Sequence, residues 1–366
     1  MPNAITVGNE ILVNTATAGA QDDPAIAALA GGRFVVTWTD WSQSGADTSQ
    51  AAVRAQIFNA DGSKAGNEFM VNTTTLGTQD DPVVATLADG RFIIGWEDAS
   101  RGAGDNSGSA IRAQIFNADG TQSGGEFIVP TTTFSHQSVP TIAGLPDGRF
   151  VAAWMDSSGV GDLQPTGIRA QIFNADGTRS GGEFLVNTTT QNGQEDPSIA
   201  VLADGRFAVT WTDQSTTGGD VSNAAIRAQV FNGDGTKSGG ELLVNTTTPG
   251  VQFDPSITGL TDDRFVVAWT DFSQTGGDAS GPAVRAQIFN GDGSRSGGEF
   301  LVNTTTAGNQ QQSSIVALPD GGFVAVWGDG SGSTATGFQV RAQVFGSDGS
   351  TLGAEFVANT TLDGVQ

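Results

Sequence analysis

Four loops of the chain carry two aspartates seven positions apart. They share the pattern D-x-S-x-x-G-[GA]-D or a near variant, and the pairs are Asp40 with Asp47, Asp98 with Asp105, Asp213 with Asp220, and Asp271 with Asp278. Glycine and serine between the carboxylates let the loop curl, and glycine carbonyls can complete the six to eight oxygen ligands that Ca²⁺ takes. These loops can hold Ca²⁺, although the fold itself requires no cofactor. The alternative is that the carboxylates only form turns and add solubilising charge.

The position after the first aspartate of each loop varies strongly. In four loops it holds Trp41, Ser157, Gln214 and Phe272. An exposed aromatic ring beside hydroxyl and amide groups can stack on a sugar, and variable loops on a rigid scaffold are where binding residues usually lie. We expect these four residues to contact a ligand. The alternative is that they are surface residues that have drifted without a function.

Arginine recurs at fixed places in the sequence. Six arginines begin the word RAQ, namely Arg54, Arg112, Arg169, Arg227, Arg285 and Arg341, and five others precede a phenylalanine. One reading is a ring of arginines that binds an anion. A residue that every copy shares favours shared packing instead, so we expect the RAQ arginines to be structural donors between neighbouring blades. Asp40 and its counterparts are the expected partners.

Motifs for catalysis are scarce. The one histidine, His136, has neither a cysteine nor a second histidine as a partner for a metal. The chain lacks tyrosine, so the tyrosine nucleophile of sialidases is missing. A carboxylate pair for glycoside hydrolysis stays open, because 39 acidic residues make chance pairs common. We expect the protein not to be an enzyme.

All of these residues belong to a unit that occurs six times. Its copies align on Trp38, Trp96, Trp154, Trp211, Trp269 and Trp327, at spacings of 57 or 58 residues. Each copy has four apolar runs, which are PSIAVL, RFAVTW, IRAQVF and GELLVN in the fourth copy, separated by turn signals such as Asp-Gly. Six units of four antiparallel strands predict an all-β fold, a six-bladed β-propeller that fills residues 1–366 as a single domain.

The four strands of a unit are named A to D in chain order. Strand A is expected at the inner edge of its blade and strand D at the outer edge, with both faces of each sheet buried. The D motif occurs seven times, and its first copy, NEILVN, is closer to the others than the last copy, AEFVAN. We therefore expect residues 9–15 to lie beside strand C of the sixth blade and to leave the last copy redundant.

Charge and composition narrow the class of partner. The chain has 16 basic and 39 acidic side chains, a net charge of -23, and no cysteine. This field repels nucleic acid and anionic membranes, and no apolar run is long enough for membrane insertion. The N-terminal residues MPNAITVGNE lack the regions of a Sec signal peptide. We expect a monomer that leaves the cell by another route.

The wording of the repeat resembles the acidic repeats of large bacterial exoproteins. The resemblance rests on GGEFLVNTTT, on DGRFVV followed by tryptophan, and on RAQIFNADG, and it covers residues 9–361. It implies an extracellular protein and type I secretion. Such exoproteins often carry calcium-binding RTX repeats elsewhere, but the G-G-x-G-x-D nonapeptide of those repeats is absent here. Their calcium chemistry is therefore not transferred to any residue of this chain.

Together these observations predict a non-catalytic, extracellular binding propeller, lectin-like or adhesive, with a carbohydrate or cell-surface ligand at its variable loops. The alternative is a structural spacer within a larger secreted protein, with no ligand of its own. The sequence does not identify the ligand.

Overall fold

The computed structural model describes residues 10–102, 104–105, 108–162, 166–220, 222–331 and 338–360. Regular structure in these residues is β-strand, apart from a short 3-10 turn at Ala30–Gly32. The strands form six antiparallel sheets of four, each ordered along the chain. The predicted six-bladed β-propeller is thus confirmed. The chain divides into two compact units, one spanning Ile11–Val186 and the other beginning at Asn187.

The first unit contains blades 1 to 3. Blade 1 consists of β1 (Gln21–Ala28), β2 (Phe34–Asp40), β3 (Ala52–Phe58) and β4 (Phe69–Met70). Blade 2 consists of β5 (Gln79–Thr86), β6 (Phe92–Asp98), β7 (Ala110–Phe116) and β8 (Phe127–Ile128). Blade 3 consists of β9 (Gln137–Gly144), β10 (Phe150–Asp156), β11 (Gly167–Phe173) and β12 (Phe184–Leu185).

The second unit contains blades 4 to 6. Blade 4 consists of β13 (Gln194–Val201), β14 (Phe207–Asp213), β15 (Ala225–Phe231) and β16 (Leu242–Leu243). Blade 5 consists of β17 (Gln252–Gly259), β18 (Phe265–Asp271), β19 (Ala283–Phe289) and β20 (Phe300–Leu301). Blade 6 consists of β21 (Gln310–Ala317), β22 (Phe323–Asp329), β23 (Gln339–Phe345) and β24 (Phe356–Val357).

The turn between strands C and D uses the chemistry that its sequence predicts. In blade 2, Asn117 N donates to Thr121 O at 2.8 Å, and Gly120 has a φ of +87°. Asp119 Oδ1 accepts a hydrogen bond from Thr121 N at 2.9 Å, and the Thr121 hydroxyl and amide hydrogen bonds lower the pKa of Asp119. The NADG residues therefore form the turn, and strand D that follows is only two residues long.

Both faces of the central strands are buried, as predicted. In blade 2, Phe92 and Ile94 pack into a core cluster that includes Val35 of blade 1, whereas Ile93 packs into a cluster with Trp154 of blade 3. The second unit follows the same plan, with alternate residues of β18 in two different core clusters. Because each blade buries side chains on two sides, apolar residues of strand B occupy both of its faces.

The prediction that residues 9–15 form the outer strand of blade 6 is wrong. β24 pairs with β23 there, so the last D motif completes the blade and the first does not. A short C–D hairpin has a small loop-closure cost, whereas recruiting a segment from the other end of the chain costs more entropy. In the first unit, Thr15 N donates to Glu68 Oε2 of blade 1 at 2.7 Å. In the second unit, Glu10 accepts a hydrogen bond from Thr360 N at 2.5 Å.

The N-terminal residues 1–9, on which the argument about a signal peptide rests, lie outside the described part of the chain. Of the residues that the structure does describe, none belongs to a helix with the length and apolarity of a membrane span.

Candidate active site

Each sheet holds one arginine between two carboxylates of its own blade. In blade 2, Arg112 Nε lies 2.5 Å from Asp98 Oδ2, and its Nη1 lies 3.0 Å from Glu126 Oε1. Arg112 is only 3% exposed, so solvent screens these ion pairs little. Equivalent pairs are made by Arg54, Arg169, Arg227, Arg285 and Arg341. The predicted pairing with the aspartate that ends strand B is confirmed.

Other groups also connect one blade to the next, and the direct role of the RAQ arginines between blades stays a prediction. Glu126 accepts hydrogen bonds from Thr73 and Thr74 of blade 1. Burial raises the pKa of Glu126, but these hydrogen bonds outweigh burial and bring the pKa below its usual value. Arg91, from the RF position, donates to a backbone carbonyl of blade 3 at 2.6 Å. Among the contacts given for the described residues, the RAQ arginine is linked to the neighbouring blade through its glutamate partner.

The loop aspartates proposed as calcium ligands already accept hydrogen bonds from protein groups. Asp40 and its counterparts bind the RAQ arginines. Asp47 Oδ2 accepts a hydrogen bond from Asn72 Nδ2 at 3.1 Å, and Asp220 and Asp278 accept equivalent bonds from Asn245 and Asn303. Within the described ranges, no three His, Cys, Asp or Glu side chains are arranged to hold a metal ion. Calcium binding, including at the pair Asp98 and Asp105, stays a prediction.

Two of the predicted ligand-binding residues lie in the first unit. Trp41 is 38% exposed, and its Nε1 donates to Asp22 Oδ1 at 3.0 Å. Ser157 donates its backbone N–H to the carbonyl of His136 at 2.8 Å. Both residues thus contact the start of strand A of their own blade.

The other two predicted residues lie in the second unit. Gln214 Nε2 donates to Glu195 Oε2 at 2.9 Å. Phe272 is 36% exposed and stacks on Phe253, with ring centroids 5.0 Å apart. Glu195 and Phe253 each belong to strand A, so the variable position covers the same part of the blade in every case.

A bulge at the start of strand A brings carboxyl groups together in the first unit. The register between β1 and β2 shifts between Asp22 and Ala25, and the matching shift in blade 2 follows Asp80. At the bulge, Asp23 and Asp81 both have a φ of +49°, a left-handed conformation that aspartate tolerates better than most residues. The proline that follows each of them donates no N–H, which interrupts the ladder at this point.

The side chains concerned form what we call the acidic cluster, which consists of Asp22, Asp23, Asp80, Asp81 and Glu97. Asp23 and Asp81 lie close enough for each carboxyl group to act on the pKa of the other, and a hydrogen bond between two carboxyl groups requires one of them to carry a proton. Asp80 and Glu97 are paired across β5 and β6. The largest electrostatic influences on Asp80 are carboxylates, whereas the aspartates that end strand B are paired with arginines.

This environment raises the pKa of several members. Burial, followed by the charges of Glu97, Asp81, Asp23 and Asp22, raises the pKa of Asp80 to about 7. Burial and the charge of Asp23 raise the pKa of Asp81, and burial raises that of Glu97 as well. Asp81 is surrounded by many protein atoms, but its side chain lines an open recess. Asp81 is therefore still exposed to water. Near neutral pH the cluster therefore holds protonated and ionised carboxyl groups side by side.

Neighbouring groups define the surroundings of the cluster. The Ser109 hydroxyl bonds to Glu97 and lies 3.2 Å from Nδ1 of His136. Next to Asp23 and Asp81 lies a recess of about 320 Å³, whose other walls include Pro24, Pro82, Val139 and Pro140. Asp23 and Asp81 line this recess, and Asp80 is not among its described lining residues. A protonated carboxyl group near an ionised one can support general acid and base catalysis.

Sequence reasoning missed the acidic cluster. The words QDDP, QDDP and QEDP were visible in three repeats, but adjacent acids read as solvated surface charge. The available signal was proline within a predicted strand, because proline there marks a bulge or an edge. His136 was considered only as a metal ligand, and its contact with Ser109 depends on a loop conformation that the sequence does not specify.

No model of a known protein family matches the chain, and no curated protein matches it either. Many solved structures resemble its fold. The NanB sialidase from Streptococcus pneumoniae superposes with a TM-score of 0.56 at 10% identity, covering 89% of this chain and 68% of the sialidase. An α-L-arabinofuranosidase from Fusarium graminearum gives 0.58 at 11% identity, covering 88% and 92%. An α-L-arabinanase from Penicillium chrysogenum, solved with arabinobiose, gives 0.53 at 14% identity, covering 84% and 88%.

These neighbours overturn two expectations from the sequence. The prediction of a non-catalytic binding propeller, and with it the spacer alternative and the exclusion of enzymes, is contradicted because the neighbours are carbohydrate-processing enzymes. At such low identity the superposition itself establishes the fold. The matches give no support to the resemblance to exoproteins with RTX repeats or type I secretion. A carbohydrate partner agrees with the neighbours.

Proposed function

We propose that the protein hydrolyses glycosidic bonds with two carboxyl groups of the acidic cluster. The observation that carries the proposal is Asp80, a carboxyl group whose pKa is raised to about 7 by burial and by the charges of neighbouring carboxylates. Glycoside hydrolases pair a protonated carboxylic acid with an ionised carboxylate. The fold of three carbohydrate-processing enzymes supports the same class of reaction.

In this proposal Asp80 is the general acid. Its proton passes to the glycosidic oxygen as the bond to the anomeric carbon breaks, so the sugar that leaves departs as a neutral alcohol. The ionised carboxylate of the Asp23–Asp81 pair stabilises the positive charge that develops on the sugar ring and takes a proton from the water that attacks the anomeric carbon. That water supplies the new hydroxyl, and Asp80 regains a proton from solvent before the next cycle. Tyrosine is absent from the chain, so the tyrosine nucleophile of sialidases has no counterpart.

The substrate proposed is a neutral glycan. The net charge of -23 disfavours an anionic sugar, and no basic side chain lines the recess beside Asp23 and Asp81. Trp41 offers an exposed ring next to the cluster on which a sugar can stack. Because two of the neighbours act on α-L-arabinosyl compounds by name, arabinan and p-nitrophenyl α-L-arabinofuranoside are the substrates to test first.

The test compares hydrolysis by the wild type, Asp80→Asn and Asp119→Asn. Asp119 is an exposed turn residue of the same blade and serves as the matched control. We expect Asp80→Asn to lower kcat by about 10²- to 10⁴-fold and Asp119→Asn to leave it unchanged. Equal activity in all three proteins, or no hydrolysis of any neutral glycan in a broad panel, rejects the proposal.

The pH profile gives an independent readout of the same assignment. A general acid acts in its protonated form, so kcat should fall as the pH rises through about 7, where Asp80 loses its proton. An extracellular location, the monomeric state and the lack of interaction with nucleic acid stay predictions from the sequence.

A further inference from the structure

Three residues that distinguish one part of the chain from its repeats come together beside the acidic cluster. Glu97 lies on β6, Ser109 directly precedes β7, and His136 directly precedes β9. At these three positions the other five repeats have no acidic residue, no serine and no histidine, respectively. All three belong to the unit that spans Ile11–Val186.

The repeated fold uses the backbone of Ser109 and His136 and does not require their side chains. The carbonyl of Ser109 accepts a hydrogen bond from the first residue of β9 at 2.9 Å, and the carbonyl of Ala51 does the same for β5. The carbonyl of His136 accepts a backbone hydrogen bond just as that of Thr78 does in the preceding loop. The hydroxyl and the imidazole therefore call for an explanation other than the shared fold.

The three side chains form a hydrogen-bonded chain. Ser109 Oγ lies 3.2 Å from His136 Nδ1, and the same hydroxyl bonds to the carboxylate of Glu97. The carbonyl oxygen of Gln137, also at 3.2 Å, is a second acceptor for the hydroxyl hydrogen, so the hydroxyl can turn between two acceptors. Because a hydroxyl accepts one hydrogen bond while it donates another, Ser109 can pass a proton from the imidazole to Glu97.

This chain leads from solvent to the acidic cluster. His136 is exposed, whereas Ser109 is only 2% exposed. Glu97 lies directly opposite Asp80 in the register of β5 and β6, and the Cβ atoms of residues paired in this way are about 5 Å apart on one face of the sheet. The two carboxyl groups are thus within reach of each other, directly or through one water molecule.

The groups that face Glu97 let it both take up and release a proton. Burial raises its pKa most, the hydrogen bond from Ser109 lowers it, and the charge of Asp81 raises it again. The charge of His136 and a hydrogen bond from the Val139 N–H lower it to a smaller extent. The net result is a raised pKa, which brings Glu97 closer to its neighbour Asp80 and couples the titration of the two groups.

We propose that His136, Ser109 and Glu97 form a proton relay that returns a proton from solvent to Asp80 after each cycle of hydrolysis. The relay rests on the role proposed above for Asp80. His136 takes up a proton from water, and its Nδ1 proton passes to the Ser109 oxygen as the hydroxyl hydrogen passes to Glu97. Glu97 then protonates the Asp80 carboxylate. One proton enters and one reaches Asp80, so the three relay residues regain their starting charges. They are positioning residues that act through Asp80.

The kinetic test compares hydrolysis of arabinan by the full-length wild type, His136→Thr and Ser109→Ala in dilute buffer. Threonine and alanine fill these positions in other repeats, at Thr78 and Ala51, so both variants should fold. Each should lower kcat about tenfold, less than the loss of the general acid itself. The value of kcat/KM should be unchanged, because reprotonation follows the chemical step. Asp119→Asn again serves as the control and should match the wild type.

Added imidazole distinguishes proton transfer from a structural defect. As a small proton donor it should restore kcat of His136→Thr towards the wild-type value, and it should not restore Asp80→Asn, which has no carboxylate to protonate. A misfolded loop would lower kcat without any response to imidazole.

A second measurement does not depend on hydrolysis. His136 is the single histidine of the chain, so nitrogen NMR spectra report its two ring nitrogens without ambiguity. The Nδ1 signal of the wild type should show a hydrogen bond, and in Ser109→Ala it should return to the position of a solvated imidazole. Asp119→Asn should leave the signal unchanged.

The outcomes separate the relay from the proposed function. Hydrolysis by the wild type with an undiminished kcat in His136→Thr, or with a lowered kcat that imidazole does not restore, overturns the relay and leaves the role of Asp80 intact. An Nδ1 signal that is indifferent to Ser109→Ala overturns the relay as well. If the wild type hydrolyses neither arabinan nor any other neutral glycan while the Nδ1 signal responds to Ser109→Ala, the function of Asp80 is rejected, and the relay with it.

Discussion

Two aspartates of blade 2 show how neighbouring groups decide the chemistry of a residue. Asp98 ends strand B and is bound by Arg112, so its charge is neutralised and its role is structural. Asp80 lies on the adjacent strand, and the charged groups that act on it are the carboxylates of the acidic cluster. The arginine of the repeated word RAQ was visible in the sequence, and so was its aspartate partner. The gathering of carboxylates around Asp80 becomes visible only in three dimensions.

The raised pKa of Asp80 predicts how its removal affects stability. A carboxyl group whose pKa is higher in the folded protein favours folding fully below its ordinary pKa of 3.8, and this contribution is lost as the pH rises toward about 7. Above pH 7 the folded protein carries a poorly solvated charge. Asp80→Asn should therefore stabilise the protein at pH 8 by about 1–2 kcal/mol, after allowance for solvent screening, and have little effect at pH 4.

Urea denaturation of the wild type and of Asp80→Asn at the two pH values measures this difference. Asp119→Asn is again the control, since it should show no such gain at pH 8. A destabilised Asp80→Asn protein at pH 8 would mean that the carboxylate is stabilised by a group not identified here.

At the level of the strand, the sequence predicted the repeated strands and hairpins but not the bulge in strand A. Asp-Gly signals located the hairpins, and Phe, Val and Trp located the buried strands, because turn chemistry and burial act locally. The bulge at Asp23 and Asp81 depends on how β1 and β5 meet their neighbours, and no local propensity specifies that. The acidic cluster exists because of this bulge, so the residues of the site could not be derived from spacing alone. The length of strand D was overestimated. Its apolar run has six residues in the fourth copy, but only two residues of each strand D pair with strand C.

Close packing between neighbouring inner strands makes one glycine irreplaceable. Gly144 ends β9, and a Cβ atom added there would lie 2.2 Å from the carbonyl oxygen of Thr86 in blade 2. Backbone atoms on both sides cannot move easily, so Gly144→Ala should destabilise the protein by about 2 kcal/mol or more. At Gly125, nothing lies within 4 Å of an added Cβ atom, and Gly125→Ala should be close to neutral. Thermal denaturation of the two variants checks the contrast, and equal melting temperatures would show that the strands separate readily.

At the level of the whole molecule, the repeats predicted the fold but not the function. Six copies of one unit gave the strand signals six times, and the fold class followed from them. We expect the function to depend on positions where blades differ, such as Glu97 and His136, each of which occurs in one blade only. The expectation of a non-catalytic protein rested on missing motifs, but two carboxyl groups with different pKa values need no motif.

The net charge of -23 makes a last prediction about the entire chain. Repulsion among exposed carboxylates opposes folding, and added salt screens it, because the Debye length falls from about 30 Å at 0.01 M to about 10 Å at 0.1 M. The buried pair of Arg112 and Asp98 is screened far less, with side chains only 4% and 1% exposed. Raising NaCl from 10 mM to 300 mM should therefore raise the melting temperature by about 2–5 °C. The gain should shrink at pH 4, where many of the carboxylates are protonated. A melting temperature that falls with salt would instead show that exposed ion pairs such as Arg91 with Asp89 stabilise the fold more than repulsion weakens it.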